Sequence, residues 1–250
     1  MFLSKKVLSL LMALAASLLL IFLTVLGLEV FSEDQSASAR FFTLLGGDFL
    51  GGGYIQFFTY FAFFWSFIEI LDRLKMIRNE KLAYRDKLLP TKEKILLLPA
   101  DVMEIQLKAS EYEKKRPYSL LASVIKKACL KFRSSKSIPE MIEIISIQME
   151  INKEKHESDQ SNIRYLTWVI PSIGFIGTVL GISKALTVAG SEDMNLITST
   201  LGIAFDTTLI SLVLSIIIMW FVHLLQEETD QLHAEMKEYV IENLVNRIEI

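Results

Sequence analysis

Cysteine is almost missing from this chain of 250 residues. The single Cys129 excludes an intrachain disulfide framework and any cysteine-built zinc site, since both need several thiols at set spacings. Histidine is scarce too. His156, His223 and His233 stand at or beyond the ends of the hydrophobic runs without ligand spacing, so they read as solvated side chains. No metal or cofactor is expected. A phosphate loop, a nucleophile elbow and an HExxH zinc motif are all lacking, and nothing points to an enzyme. Charge of one sign is not concentrated: 26 Lys+Arg are intermixed with 29 Asp+Glu for a net charge of -3. Nucleic-acid binding needs a basic face, so that partner class is set aside.

What the chain has instead is apolar length. It is 52% hydrophobic with a mean hydropathy of +0.40, too apolar for a soluble domain of this size. A helix needs about 20 apolar residues to cross roughly 30 Å of hydrocarbon with every backbone polar group satisfied internally. Four runs qualify, at 7–28, 54–71, 163–187 and 198–225. The fold class read from them is all-α, a polytopic membrane protein with four transmembrane helices. Glu69 and Lys184 lie near the ends of their spans, where a charged group reaches the interface. The first run follows Lys5 and Lys6 and precedes an Ala37-Ser38-Ala39 tripeptide. It is nevertheless too long for a signal-peptide core, and the tripeptide lies well beyond its end, so it reads as a retained helix.

Orientation follows from the basic residues, most of which fall between Arg73 and Lys155. The first connection, 29–53, holds only Arg40, and the last, 190–195, holds none. The positive-inside rule then puts both termini and the central segment in the cytoplasm. The organisation expected is a transmembrane hairpin at 1–72, a cytoplasmic helical region at 73–162, a channel-lining hairpin at 163–225 and a cytoplasmic C-terminal helix at 226–250. Pro90, Pro99, Pro117 and Pro139 divide the central region into short helices. Ser137 ahead of Ile138-Pro139 and Glu140 marks a helix start. With no breaker before Pro171, one long helix is expected to run from there into the third span. Leu232, Met236, Val240 and Leu244 form a stripe at spacing four, the mark of a helix packing on its neighbours.

Candidate chemistry lies in the last two spans. At ~100° per residue, Pro171, Gly174, Thr178, Gly181 and Ala185 share one nearly bald face of the third, with Gly177 between them. In the fourth, Thr200, Ala204, Thr208, Ser211 and Ser215 form a hydroxyl stripe with Thr207 at its border. Small residues let helices approach closely in lipid, so packing alone explains part of this pattern. Thr178 and Thr208 fall at similar depth near the middle of their spans, where two hydroxyls hydrogen-bond water or coordinate a cation. Asp206 is an intramembrane acid, costly unless protonated or paired. It is rotated ~200° from Thr208, and Lys184, a hydroxyl or water is expected to satisfy it. A proton-carrying role is the other reading. Pro171 removes a helix hydrogen bond and is a possible hinge.

At these residues the sequence resembles the MotA/TolQ/ExbB proton channel family. The resemblance rests on Pro171, on Gly174-Phe-Ile-Gly177-Thr178-Val-Leu-Gly181-Ile182 and on Ala204-Phe-Asp-Thr-Thr208-Leu-Ile-Ser-Leu212. It implies a multi-pass subunit of a bacterial inner membrane motor, a homo-oligomer and specifically a pentamer. The ring would surround a single-span partner like ExbD, TolR or MotB, whose membrane aspartate carries H+ or Na+. Ion flow would turn the ring and deliver mechanical work. Thr178 and Thr208 would be pathway hydroxyls, joined by Thr207 and Ser211, and Pro171 the conformational element. The rival reading is a membrane scaffold without conduction. A stand-alone transporter would show broken helices or internal repeats, which the sequence lacks.

Overall fold

A computed structural model describes residues 2–31, 37–86, 88–90, 96–116, 119–191 and 193–249. Among the described residues the chain is helical almost throughout: α1 (Phe2–Phe31), α2 (Ala37–Leu44), α3 (Tyr54–Ala83), α4 (Pro99–Lys115), α5 (Leu120–Ser135), α6 (Ile138–Asp159), α7 (Ser161–Val188) and α8 (Met194–Asn243). Four stretches are long and apolar enough to cross a membrane, and the protein is a multi-pass membrane protein. The chain forms two compact units, one of Met1–Leu71 with Ser161–His223 and the other of Asp72–Gln160 with Leu224–Ile250.

The first unit holds α1, α2, α7 and the apolar parts of α3 and α8. Along α1, Ser9, Ala13, Ser17, Ile21 and Thr24 face inward, while Val7, Leu8, Leu19 and Phe22 face outward. The buried hydroxyls return to their own helix: Ser17 donates to the Leu14 carbonyl at 2.9 Å and Thr24 to that of Ile21 at 2.8 Å. Such bonds cost nothing from neighbouring helices and leave no polar group bare in lipid. Ile21, Tyr60 and Ile210 join α1, α3 and α8 in one buried cluster. The described part of the connection at 37–53 is built rather than loose. It contains α2, ends that helix at Gly46 in the left-handed region (φ 97), and re-enters α3 through a wide turn, Phe49–Gly53, capped by the Asp48 carboxylate on the Gly51 amide at 2.8 Å. Glu69 departs from expectation. Instead of reaching toward the interface it is buried, accepting from Trp65 Nε1 and Asn162 Nδ2, each at 3.1 Å.

The second unit obeys the rules of a water-soluble bundle. α4 begins at Pro99 with the Leu98 amide donating to the Asp101 carboxylate at 2.9 Å. Ser137 caps α6 by accepting from the Glu140 amide at 3.4 Å, with a proline in the first turn. The α5 helix stops at Lys136, which takes the left-handed conformation (φ 50). α4 packs on α5 and α5 on α6, and the α8 stripe of Leu232, Met236, Val240 and Leu244 is buried throughout. Cys129 lies in this core, and burial pushes its thiol up to about 12. The break expected at Pro117 lies outside the described residues.

One expectation is corrected. The helix expected to run unbroken from Ser137 into the third span is interrupted at Gln160, which sits in a turn between α6 and α7. No proline or glycine is responsible. The Gln160 side chain is buried and donates to Thr229 Oγ1 at 3.1 Å, so the interruption coincides with a contact to another helix. α8 runs without a break from the fourth span into the C-terminal segment.

Candidate functional site

The third and fourth spans, α7 and the first part of α8, meet along a seam with almost no side-chain bulk. A Cβ placed on Gly174 would fall on the Ser211 side chain and within 3.1 Å of the Thr207 carbonyl. One on Gly177 would strike Thr207 and lie 2.8 Å from Ile55, and one on Gly181 would strike Ala204, 3.0 Å from its Cα. The three glycines therefore admit Ser211, Thr207 and Ala204 to positions that any larger residue would deny them.

Four hydroxyls occupy this seam. Thr178 and Thr208 hydrogen-bond to each other across it. Thr208 also lies 2.9 Å from the Gly174 carbonyl, and Thr178 lies 3.1 Å from that of Ala204. Thr207 reaches the Ala204 carbonyl at 2.7 Å, and Ser211 that of Thr208 at 2.9 Å. A hydroxyl has one proton to give. When Thr178 donates to Thr208, Thr208 donates to Gly174; in the reverse setting, Thr208 donates to Thr178, which donates to Ala204. Both settings satisfy both hydroxyls, so the pair is reversible. Thr207 and Ser211 are buried, whereas Thr178 and Thr208 are part-exposed. A cleft of about 80 Å³ opens beside Gly177, Gly181, Thr200 and Thr207, floored by Gly51 and Gly52. Pro171 lies inside α7 without breaking it; lacking an amide proton, it leaves the carbonyl four residues earlier without its helix bond.

Asp206 has a partner other than the Lys184, hydroxyl or water expected. Lys184 lines the cleft, and the acid is held by Arg40 of α2 in a two-pronged ion pair, with Nη2 on Oδ1 at 2.7 Å and Nη1 on Oδ2. The Asp206 side chain is 4% exposed and that of Arg40 56%, so the guanidinium reaches in from the surface to a buried carboxylate. Sequence reasoning had isolated Arg40 only as the single base of its connection. That singularity, opposite the one acid deep in the fourth span, was the available signal.

The histidines also required correction. His156 and His233 are not scattered: they meet in the second unit with Nε2 of His233 3.2 Å from Nδ1 of His156. Burial, and then the neighbouring His233, push His156 down to about 4; burial lowers His233 as well. Among the described residues no third His, Cys, Asp or Glu converges with them.

The family model for the MotA/TolQ/ExbB proton channel family matches residues 102–238, more than half of the chain. The chain belongs to that family. The match takes in α5, α6, α7 and all but the ends of α4 and α8, and hence the whole hydroxyl seam; α1, α2, α3 and Arg40 precede it. No curated protein and no solved structure matches the chain.

Proposed function

We propose that this protein is the ion-conducting subunit of a MotA/TolQ/ExbB-type motor, passing H+ or Na+ and coupling the gradient to mechanical work. In this reading it sits in a bacterial inner membrane with both termini cytoplasmic. It forms a ring, a pentamer by family analogy, that turns around a single-span partner of the ExbD, TolR or MotB kind. The partner's membrane aspartate meets Thr178 and Thr208, with Thr207 and Ser211 extending the polar line. The observation that carries the reading is the reversible Thr178–Thr208 hydrogen bond in a seam cleared by Gly174, Gly177 and Gly181. A neutral relay that points either way takes up a proton at one hydroxyl and releases one from the other when water replaces the backbone carbonyl as its acceptor, and its oxygens are hard ligands of the kind sodium prefers.

The test is Thr208→Val, which keeps the shape and removes the hydroxyl. Co-expressed with its partner and reconstituted in vesicles, the variant should lose ion flux by more than ~10-fold while the complex still assembles. Full flux would overturn the proposal. A scaffold without conduction is the second reading, favoured by the fact that both hydroxyls also reach backbone carbonyls. It expects the same variant to weaken assembly and the wild-type complex to conduct nothing.

A further inference from the structure

Arg40 and Asp206 lie outside the hydroxyl seam, yet Asp206 neighbours Thr207 in sequence and points from another side of α8. α2 itself is anchored on several sides. Phe42 covers Gly27 of α1 and stacks on Phe31, with ring centroids 5.7 Å apart. Just beyond the helix, the Leu45 carbonyl accepts from the Tyr60 hydroxyl of α3 at 3.0 Å. Arg40 is the one charged residue of α2 and supplies the tie to α8. A buried carboxylate with a two-pronged guanidinium is fixed in charge and direction, because losing the partner leaves an uncompensated charge in an apolar setting. Fixed at one point of its circumference, a helix is fixed in its rotation about its own axis.

We propose that Arg40 is the permanent counter-ion of Asp206, and that the pair pins α2 to α8 and sets the rotation that presents Thr207, Thr208 and Ser211 to the glycines of α7. Asp206 is then a positioning acid and not the carrier of the ion. This rests on the ion-path reading of Thr208 for its functional consequence, but not for the pairing.

The test uses Arg40→Gln, Asp206→Asn, the double variant and the exchanged pair Arg40→Asp with Asp206→Arg, each in the full complex. Two readouts are taken: ion flux in vesicles and amide hydrogen exchange of residues 37–44. Either single variant should raise exchange at 37–44 by ~10-fold and lower flux by a similar factor in both, the double should be no worse than a single, and the exchanged pair should recover part of both. Loss of all flux in Asp206→Asn with exchange at 37–44 unchanged would make the acid a carrier and overturn the inference. So would additive losses in the double variant. Should the wild-type complex conduct nothing, the proposed function falls while the exchange data still decide the pairing. Thr208→Val should lose flux without raising exchange at 37–44.

Discussion

The two units of this protein both bury aliphatic residues, such as Ile170 in the first and Ile125 in the second, but differ in what lies beside them and in what they expose. In the second, Leu121, Ile125, Met141 and Ile145 are buried and the surface carries ion pairs such as Lys126–Glu113 at 2.7 Å and Lys131–Glu140 at 2.7 Å. In the first, Ser17, Thr59, Ser66, Thr207 and Ser211 are buried, while Phe175 is 67% exposed, Ile216 70% and Trp168 77%. Water drives the first arrangement, since removing apolar area from it is favourable. Lipid offers no such drive. There, cohesion comes from close approach and hydrogen bonds between small residues. A small side chain that would be a defect in one unit is the structural material of the other.

The comparison is broken most severely at the seam. Gly177→Val should separate α7 from α8, because its side chain would enter space held by Thr207 and Ile55; loss of the assembled complex on gel filtration is the expected result. Leu121→Ala tests the other logic. It leaves a cavity in a fully buried site and should lower the stability of the second unit by about 2–5 kcal/mol in denaturant titration. The equivalent truncation at outward-facing Ile216 should leave stability within ~0.5 kcal/mol.

A smaller effect comes from the His156–His233 pair. Its folded state keeps His156 neutral down to about pH 4, whereas the unfolded chain takes up the proton near 6.5. The contribution to stability is thus complete above pH 6.5, declines as pH falls from there toward 4, and is flat below. Thermal melts across that window should show the decline, and replacing His156 by Asn should reduce it, leaving the part that buried His233 contributes. The smallest is Ser137→Ala, which removes the α6 cap and should cost about 1 kcal/mol.

Sequence reasoning reached the features that are local or periodic. The four spans, the start at Ser137 and the Leu232 to Leu244 stripe depend on neighbours within a few turns. The Gly174, Gly177, Gly181 and Thr208, Ser211 pattern was legible because helical period alone places residues on faces. Pairings between distant residues were not. Arg40 and Asp206 stand 166 positions apart, and His156 and His233 stand 77 apart, with no periodicity linking them. The interruption at Gln160 escaped because no helix breaker marks it; what sets the residue apart is a bond to Thr229, in another helix. α2 escaped because eight residues within a connection carry too little pattern to outweigh the reading of a loop.

The twin settings of the threonine pair have a kinetic consequence. Were a proton to enter at one hydroxyl and leave from the other to a water standing in for the backbone carbonyl, both hydroxyls would be left pointing the other way, and no second proton could follow until they swung back. Such a gate counts its cargo singly and cannot behave as an open pore. A sodium ion, touching only the oxygens, would leave no such imprint, so slowing in heavy water would tell the two cargoes apart.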